Sequence, residues 1–346
     1  ALGFASYFTS LTGLGDDSVV LTSLFLILIL SLLNWWGVKE SALLSAIFTF
    51  IEAGGLLLVT LLGFLFPARS PNYLGFNPSI EPWRAVLIGA AIFYFAYTGF
   101  EFQPTLSEET REPAKVMPKA ILLATAITTA LYLLVSISVV RLMSWVELGA
   151  SSAPLADASA RAWKPAFHTL MAIALFATTN TSLGFLVTAS RLLYGLAEER
   201  VAWHGFRIVD RKRGTPAVAV AFTGGASILI LVTTWVLPEL TGWKLQVAGF
   251  EYKLIDLVGK TSSLAVLLAY LFVNAALVAI RLRKASQEGL FKVPFAAGRV
   301  PLLPVVANGL IIVFLLVSFG DWIVWLSTAL VTALGLTLYR GEHRRE

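Results

Sequence analysis

Two acidic side chains lie in stretches of the sequence that otherwise lack charge. Glu52 interrupts the run 41–66, and Glu101 stands near the end of the run 85–102. An ionised carboxylate is costly inside hydrocarbon, so intramembrane acids usually face the protein interior and serve ion or substrate pathways. A buried carboxyl group can also carry a proton near neutral pH. The alternatives are a structural hydrogen bond for Glu52 and a position at the membrane interface for Glu101.

Polar residues accompany Glu52 at helical spacing. Ser45 and Thr49 precede it so that the three side chains follow an i, i+4, i+7 pattern, which places them on one face of a helix. The adjacent Gly54 and Gly55 favour close approach of a second helix rather than phosphate binding.

Glu101 follows a potential helix break in the stretch "FYFAYTGFEF". Tyr94, Tyr97, Thr98 and Glu101 share one face if the stretch is a continuous helix. Gly99 lowers helix propensity there by about 1 kcal/mol relative to alanine. A broken membrane helix leaves carbonyl and amide groups available to a polar ligand. Close packing at Gly99 is the structural alternative.

A third polar cluster, "ATTNTSLG", lies in the middle of the run 165–190. Such residues often join neighbouring helices by hydrogen bonds worth about 0.6 kcal/mol each. The same groups could coordinate a cation or receive a proton, and the sequence leaves both interpretations open. The residues are Thr178, Thr179, Asn180, Thr181 and Ser182.

Nine stretches of the sequence are apolar enough to cross a membrane, and three of them contain the polar clusters described above. The chain is 57% hydrophobic and 14% charged. A span needs about 20 apolar residues, and in lipid only a helix or a closed barrel satisfies its backbone. The sequence therefore predicts nine helices, while 1–15 is too short to cross alone. The stretches are 18–38, 41–66, 85–102, 120–140, 165–190, 214–238, 261–280, 300–320 and 322–339.

The basic residues are distributed unevenly between the predicted loops. With the carboxyl terminus inside, 18 of the 26 Lys and Arg residues fall in inside connections. This asymmetry predicts orientation in a cell membrane with a cytoplasmic carboxyl terminus. It also explains the net charge of +5 without a nucleic-acid partner.

Signatures of enzymes, metal sites and cofactors are weak. The chain has no cysteine, and its three histidines lie too far apart in sequence to form a metal site or a catalytic triad. "GLGD" at 13–16 resembles part of an aspartyl-protease motif but lacks the partner aspartate. We therefore expect no enzyme, no metal and no cofactor.

Several segments together resemble the amino acid–polyamine–organocation (APC) transporters. "FAYTGFE" with "EETREPAKVMPKAI" is similar to the family's unwound sixth helix and the loop after it. "ASRLLYGLAEE", "RKRGTPAVAV" and "SSLAVLLAYLFVNAALVAIRLRK" with "FKVPF" resemble its later helices and loops. The opening "ALGFASYFTSL" matches the end of its third helix. The resemblance extends over essentially all 346 residues.

The resemblance implies an all-α polytopic membrane protein with the leucine-transporter-like inverted-repeat fold, truncated at the N-terminus. We expect one transporter domain over 1–346, with a remnant helix at 1–15 and an incomplete first repeat. The second repeat would cover about 83–284, and two extra helices about 300–340. The expected chain is then a fragment of a longer gene product.

The resemblance also implies roles for particular residues. Phe95, Ala96, Tyr97, Thr98 and Gly99 would form the unwound segment that binds the substrate's amino group. Glu101 would be the gate or proton-linked acid, and Asn180 would lie near the family's cation-like site. Some proton-coupled members have a lysine in the fifth helix where this chain has Glu52. A carboxylic acid would then titrate in its place.

The predicted function is secondary transport of an amino acid or related amine by alternating access, coupled to protons. The expected partners are this small-molecule substrate, protons and the lipid bilayer. A non-transporting sensor or partner subunit with the same fold is the first alternative, and a channel is the second. Neither the particular substrate nor the oligomeric state follows from the sequence.

Overall fold

The computed structural model consists mainly of apolar helices. It describes residues 1–15, 18–73, 81–100, 110–151, 153–242, 245–247, 250–252, 254–283, 295–318 and 322–343. The helices are α1 (Leu2–Thr12), α2 (Ser18–Trp36), α3 (Val38–Leu65), α4 (Pro82–Tyr94), α5 (Pro113–Leu142), α6 (Trp145–Ala150), α7 (Pro154–Ala162), α8 (Ala166–Glu198), α9 (Ala217–Leu231), α10 (Leu237–Thr241), α11 (Leu254–Arg283), α12 (Leu302–Ser318) and α13 (Trp322–His343). The described strands form two antiparallel pairs, β1 (Leu245–Val247) with β2 (Phe250–Tyr252) and β3 (Ala296–Ala297) with β4 (Val300–Pro301).

Most of the predicted spans form helices of the expected length. Within the described residues, six helical stretches are long and apolar enough to cross a membrane: 18–36, 43–65, 113–142, 166–198, 217–239 and 254–283. The last two predicted spans correspond to α12 and α13, whose apolar portions are shorter. The chain is thus an all-α multi-pass membrane protein.

The predicted third span, 85–102, is not one continuous helix. α4 ends at Tyr94 after 13 residues, which is less than the about 20 needed to cross. The chain continues as a 3₁₀ turn at Phe95–Tyr97. The α-helix therefore ends just before Phe95 to Gly99, the segment that the resemblance predicts to be unwound. The helical face assumed for Tyr94, Tyr97 and Thr98 does not continue past Tyr94.

The chain divides into two compact units, each with its own core. The first comprises 1–74 and 122–232, and the second comprises 75–121 and 233–346. In the first unit, α8 packs against α2, α3 and α7. Its core joins Val59 of α3, Val139 of α5 and Leu170 of α8. In the second unit, Leu264 and Leu267 of α11 pack with α12 and α13.

Large apolar side chains also lie on the outer surface of the helices. Phe25, Phe50, Phe272 and Leu316 are between 64% and 80% exposed. In water such a surface would be an association or aggregation site. In a multi-pass protein it is the face that contacts lipid tails, so burial in this fold depends on the bilayer as well as on the core.

Small residues allow α3 to approach its neighbours closely. A Cβ atom added at Gly63 would stand 2.6 Å from the backbone of Ser138 on α5. At Gly55 it would stand 2.9 Å from the Ile173 side chain on α8. The predicted packing role of the glycine pair is therefore confirmed for Gly55 but not for Gly54, where a Cβ meets nothing within 4 Å.

We expect Gly63→Ala to lower stability by roughly 1–3 kcal/mol, because the new methyl group must displace the α5 backbone. The readout is the midpoint of thermal unfolding in detergent. Gly54→Ala is the matched control, since it adds the same group to the same helix without a clash. Equal midpoints for the two variants would mean that α3 and α5 do not pack this closely.

A hydrogen-bonded cap organises the connection between α5 and α8. The Glu147 amide donates to Ser144 Oγ over 3.3 Å, and the Ser144 amide donates to Glu147 Oε2 over 3.0 Å. Arg161 of α7 donates to Glu147 Oε1 over 2.7 Å. The Ser144 hydroxyl also donates to Glu147 Oε2, over 2.6 Å. The bonds that the carboxylate accepts from the Ser144 hydroxyl, the Ser144 amide and Arg161 lower the pKa of Glu147 to about 2. The ionised carboxylate thereby links α6 to α7.

This cap should weaken in acid. The folded-state pKa of Glu147 lies below its ordinary value of 4.5, so its stabilisation is present above pH 4.5 and disappears as the pH falls toward 2. The thermal midpoint of the wild type should therefore exceed that of Glu147→Gln at neutral pH, and the two midpoints should converge as the pH approaches 2. A difference that is independent of pH would contradict this account.

Candidate functional site

Glu52 and Asn180 are directly hydrogen-bonded across two membrane helices. Asn180 Nδ2 on α8 donates to Glu52 Oε1 on α3 over 2.9 Å. Both side chains are partly buried. The sequence singled out these two residues separately, 128 positions apart, and the structure brings them together.

The other two polar residues on this face of α3 complete a small network around the Asn180 amide. Ser45 Oγ donates to Asn180 Oδ1 over 2.7 Å, and Asn180 Nδ2 also donates to Thr49 Oγ1 over 3.2 Å. Thr49 in turn donates to the Ser45 carbonyl. The predicted shared face of Ser45, Thr49 and Glu52 is thus confirmed. The network orients the amide so that its nitrogen faces the carboxylate.

The hydroxyl groups beside Asn180 donate within their own helix. Thr178 Oγ1 donates to Ala174 O, Thr179 Oγ1 to Leu175 O, and Ser182 Oγ to Thr178 O. Their hydrogens are therefore engaged, while the oxygen atoms of Thr178 and Thr179 can still accept a hydrogen bond or face a cation. Of this cluster, Asn180 is the member that bonds to Glu52.

Glu52 also lines a cavity of about 340 Å³ in the first unit. The walls come from α1, α3, α5, α7 and α8, and they are mainly apolar. Tyr7, Tyr132 and Thr178 contribute hydroxyl-bearing side chains to the lining. The sequence did not single out the two tyrosines, because a lone tyrosine in an apolar helix resembles an ordinary interfacial residue.

This lining can hold a small amphipathic molecule or water beside one carboxylate. Within the described part of the chain, no three His, Cys, Asp or Glu side chains come close enough to hold a metal ion. The chemistry that the cavity offers is proton exchange at Glu52 and hydrogen bonding at hydroxyl groups.

The second polar element is the break after α4. The α-helix ends at Tyr94, residues Phe95–Tyr97 form a 3₁₀ turn, and Thr98 and Gly99 continue as a turn. Gly99 has φ +117°, in the region that residues with a Cβ rarely adopt. The backbone conformation of the turn therefore requires a glycine at this position.

An aromatic contact connects this break to α11 within the second unit. The ring of Phe100 stacks on the ring of Tyr270, with centroids 5.5 Å apart and planes inclined by 25°. Phe93, before the turn, and Tyr97, within it, form an edge-to-face pair with ring centroids 6.2 Å apart. Aromatic contacts therefore hold the broken segment at its start and at its end.

The predicted site residues fall into two groups in the structure. Glu52 and Asn180 belong to the first unit, whereas Phe95 to Gly99 belong to the second. Glu101 lies outside the described residues. The substrate-binding role of Phe95, Ala96, Tyr97, Thr98 and Gly99 stays a prediction, as do the roles of Glu52, Asn180 and Glu101.

Polar groups between membrane helices and a broken membrane helix are characteristic of membrane transport proteins. The family model described as "Amino acid permease" matches residues 1–333. The chain belongs to the amino acid permease family, within the APC superfamily, so the resemblance seen in the sequence is confirmed. This is a family of transporters rather than enzymes.

Known relatives are similar over much of the chain. The methylthioribose transporter of Bacillus subtilis (strain 168) is 25% identical over 91% of this chain and 62% of its own length. The branched-chain amino acid permease BcaP of the same organism is 23% identical over 98% of this chain and 71% of its own length. The human b(0,+)-type amino acid transporter 1 is 24% identical over 90% of this chain and 60% of its own length. The chain thus spans about two thirds of the length of these relatives.

The stack between Phe100 and Tyr270 should stabilise the turn after α4. In a double-mutant cycle, Phe100→Ala and Tyr270→Ala should show a coupling energy of about 0.5–1.5 kcal/mol in thermal or denaturant unfolding. Tyr270→Phe is the control, since it keeps the ring and should keep the coupling. Additive effects of the two alanine substitutions would mean that the rings do not interact.

Proposed function

We propose that the protein carries out secondary active transport of an amino acid or related amine by alternating access, with protons as the coupling ion. The observation that carries the proposal is the hydrogen bond between Glu52 and Asn180, which joins two membrane helices at the edge of a cavity. A carboxyl group in this setting can exchange a proton, and the strength of its bond to the partner depends on its charge.

The proton step would occur at Glu52. In the ionised state, Glu52 Oε1 accepts from Asn180 Nδ2. Protonation removes the charge and weakens the charge-assisted bond, so the amide is then held mainly by Ser45 and Thr49. Because Asn180 and Glu52 lie on different helices, a change in this bond alters how α3 and α8 are held together. Proton binding would thereby favour one conformation over another.

The substrate step would occur at the break after α4. A carbonyl oxygen has two lone pairs, so one at a broken helix can accept from an ammonium group in addition to any bond within the protein. Phe95 to Gly99 would form this surface, with Glu101 acting as the gate or as a second proton-linked acid. Asn180 would belong to the cation-like site.

The substrate class is supported by the relatives. Those reported above are named for branched-chain amino acids, amino acids and methylthioribose. Each of these names gives a small polar organic molecule as the substrate, and two of the three give an amino acid. We place the protein in the cell membrane with a cytoplasmic carboxyl terminus, because 18 of its 26 Lys and Arg residues fall in loops on that side.

Transport is tested by uptake into proteoliposomes that contain the intact gene product, with radiolabelled amino acids and polyamines and an imposed pH gradient. The proposal expects saturable uptake above the equilibrium concentration. Passive flux alone would favour a channel, and the absence of flux with retained substrate binding would favour a sensor.

Coupling is tested with Glu52→Gln in the same assay. We expect uptake by this variant to lose its dependence on the pH gradient, because glutamine is nearly isosteric with the protonated acid but cannot exchange a proton. Glu147→Gln removes a carboxylate from the α6 cap and should leave the pH dependence of uptake unchanged. Wild-type pH dependence in Glu52→Gln would exclude Glu52 as the proton carrier.

A further inference from the structure

A short basic hairpin is fixed to the ends of two membrane helices in the first unit. Residues 210–215 close on themselves, since the Asp210 amide donates to the Thr215 carbonyl over 2.9 Å and the Gly214 amide donates to the Asp210 carbonyl over 2.7 Å. Gly214 has φ +67°, the left-handed conformation that such a turn requires. The hairpin leads directly into α9 at Ala217.

Two contacts tie this hairpin to the last turn of α2. Thr215 Oγ1 donates to the Trp35 carbonyl over 3.1 Å. The Arg213 guanidinium lies 3.9 Å from the centre of the Trp35 ring, a cation–π contact. α2 and α9 both belong to stretches able to cross a membrane. The hairpin is therefore held where membrane helices end, at the depth of lipid headgroups.

The hairpin presents positive charge to its surroundings. Arg211, Lys212 and Arg213 are all exposed. The carboxylate of Asp210 is engaged within the turn, where it accepts from the Lys212 amide over 2.9 Å. Neither Arg211 nor Lys212 forms an ion pair with another residue in the described ranges. Their donors are thus available to a ligand, whereas Arg207 nearby is paired with Glu198.

Exposed aromatic and aliphatic side chains lie at the end of α2 and on the segment that leads into the hairpin. Trp36 at the end of α2 is 66% exposed, and Trp203 is 51% exposed. Ile208, two residues before the hairpin, is 57% exposed. Tryptophan is favoured at the level of the headgroups, and an aliphatic side chain beside it can enter the upper part of the acyl region. A segment that carries both exposed basic and exposed apolar groups matches a phospholipid, which carries phosphate and hydrocarbon in one molecule.

We propose that this hairpin binds the headgroup of an anionic phospholipid. Arg211 and Lys212 would donate to the phosphate, while Trp36, Trp203 and Ile208 would contact the glycerol and the upper acyl chains. Arg213 is a positioning residue, since its stacking on Trp35 orients the turn that carries the two donors. A lipid held there would bridge the end of α2 and the start of α9.

The test is native mass spectrometry of the detergent-solubilised protein during titration with phosphatidylglycerol or phosphatidylcholine of matched chains. We expect preferential binding of phosphatidylglycerol. The variant Arg211→Gln/Lys212→Gln should bind it roughly 25-fold more weakly, about fivefold for each cation. The variant Arg69→Gln/Lys164→Gln removes the same charge from other exposed positions of this unit and should bind phosphatidylglycerol as the wild type does.

Three results would overturn the proposal. The first is equal binding of the two lipids by the wild type. The second is unchanged phosphatidylglycerol binding by the hairpin variant, provided that its thermal midpoint shows it to be folded. The third is displacement of phosphatidylglycerol by equimolar glycerol phosphate, because that would make the ligand a soluble anion rather than a lipid.

Discussion

The absence of water inside the bilayer governs this structure. A polar group in hydrocarbon must find its partner within the protein, since no solvent can replace it. Asn34, Asn180 and Asn274 lie in membrane helices, and each donates to a neighbouring helix. These amides therefore hold helices in register while the apolar side chains face lipid.

The same constraint limits ionisable groups in the membrane helices to positions where the protein supplies a polar partner. Glu52 is tolerated because the Asn180 amide donates to it and because a cavity borders it. Ser45 and Thr49 then fix the amide, so that both its nitrogen and its oxygen are engaged. Under the proposed function, protonation of this carboxylate would change how α3 and α8 are held together, as proton-coupled transport requires.

Helix packing follows from small residues as much as from large ones. Gly55 and Gly63 let α3 approach α8 and α5 to distances that a Cβ atom would prevent. Gly99 has a different role, since its φ of +117° permits the turn that follows α4. In sequence these glycines look alike, and only their neighbours and backbone angles separate the two roles.

The sequence alone determined the apolar spans, the all-α membrane class, the polar face of α3 and the family resemblance, because hydropathy and helical period are local properties. It indicated a break near Gly99 within the span 85–102. The α-helix in fact ends earlier, at Tyr94, because residue propensities do not show at which residue a helix stops hydrogen bonding. Tertiary structure decided that Asn180 is the partner of Glu52, that Tyr7 and Tyr132 line its cavity, and that Arg213 lies over Trp35. Those contacts join residues far apart in the chain, and their geometry depends on how the helices pack.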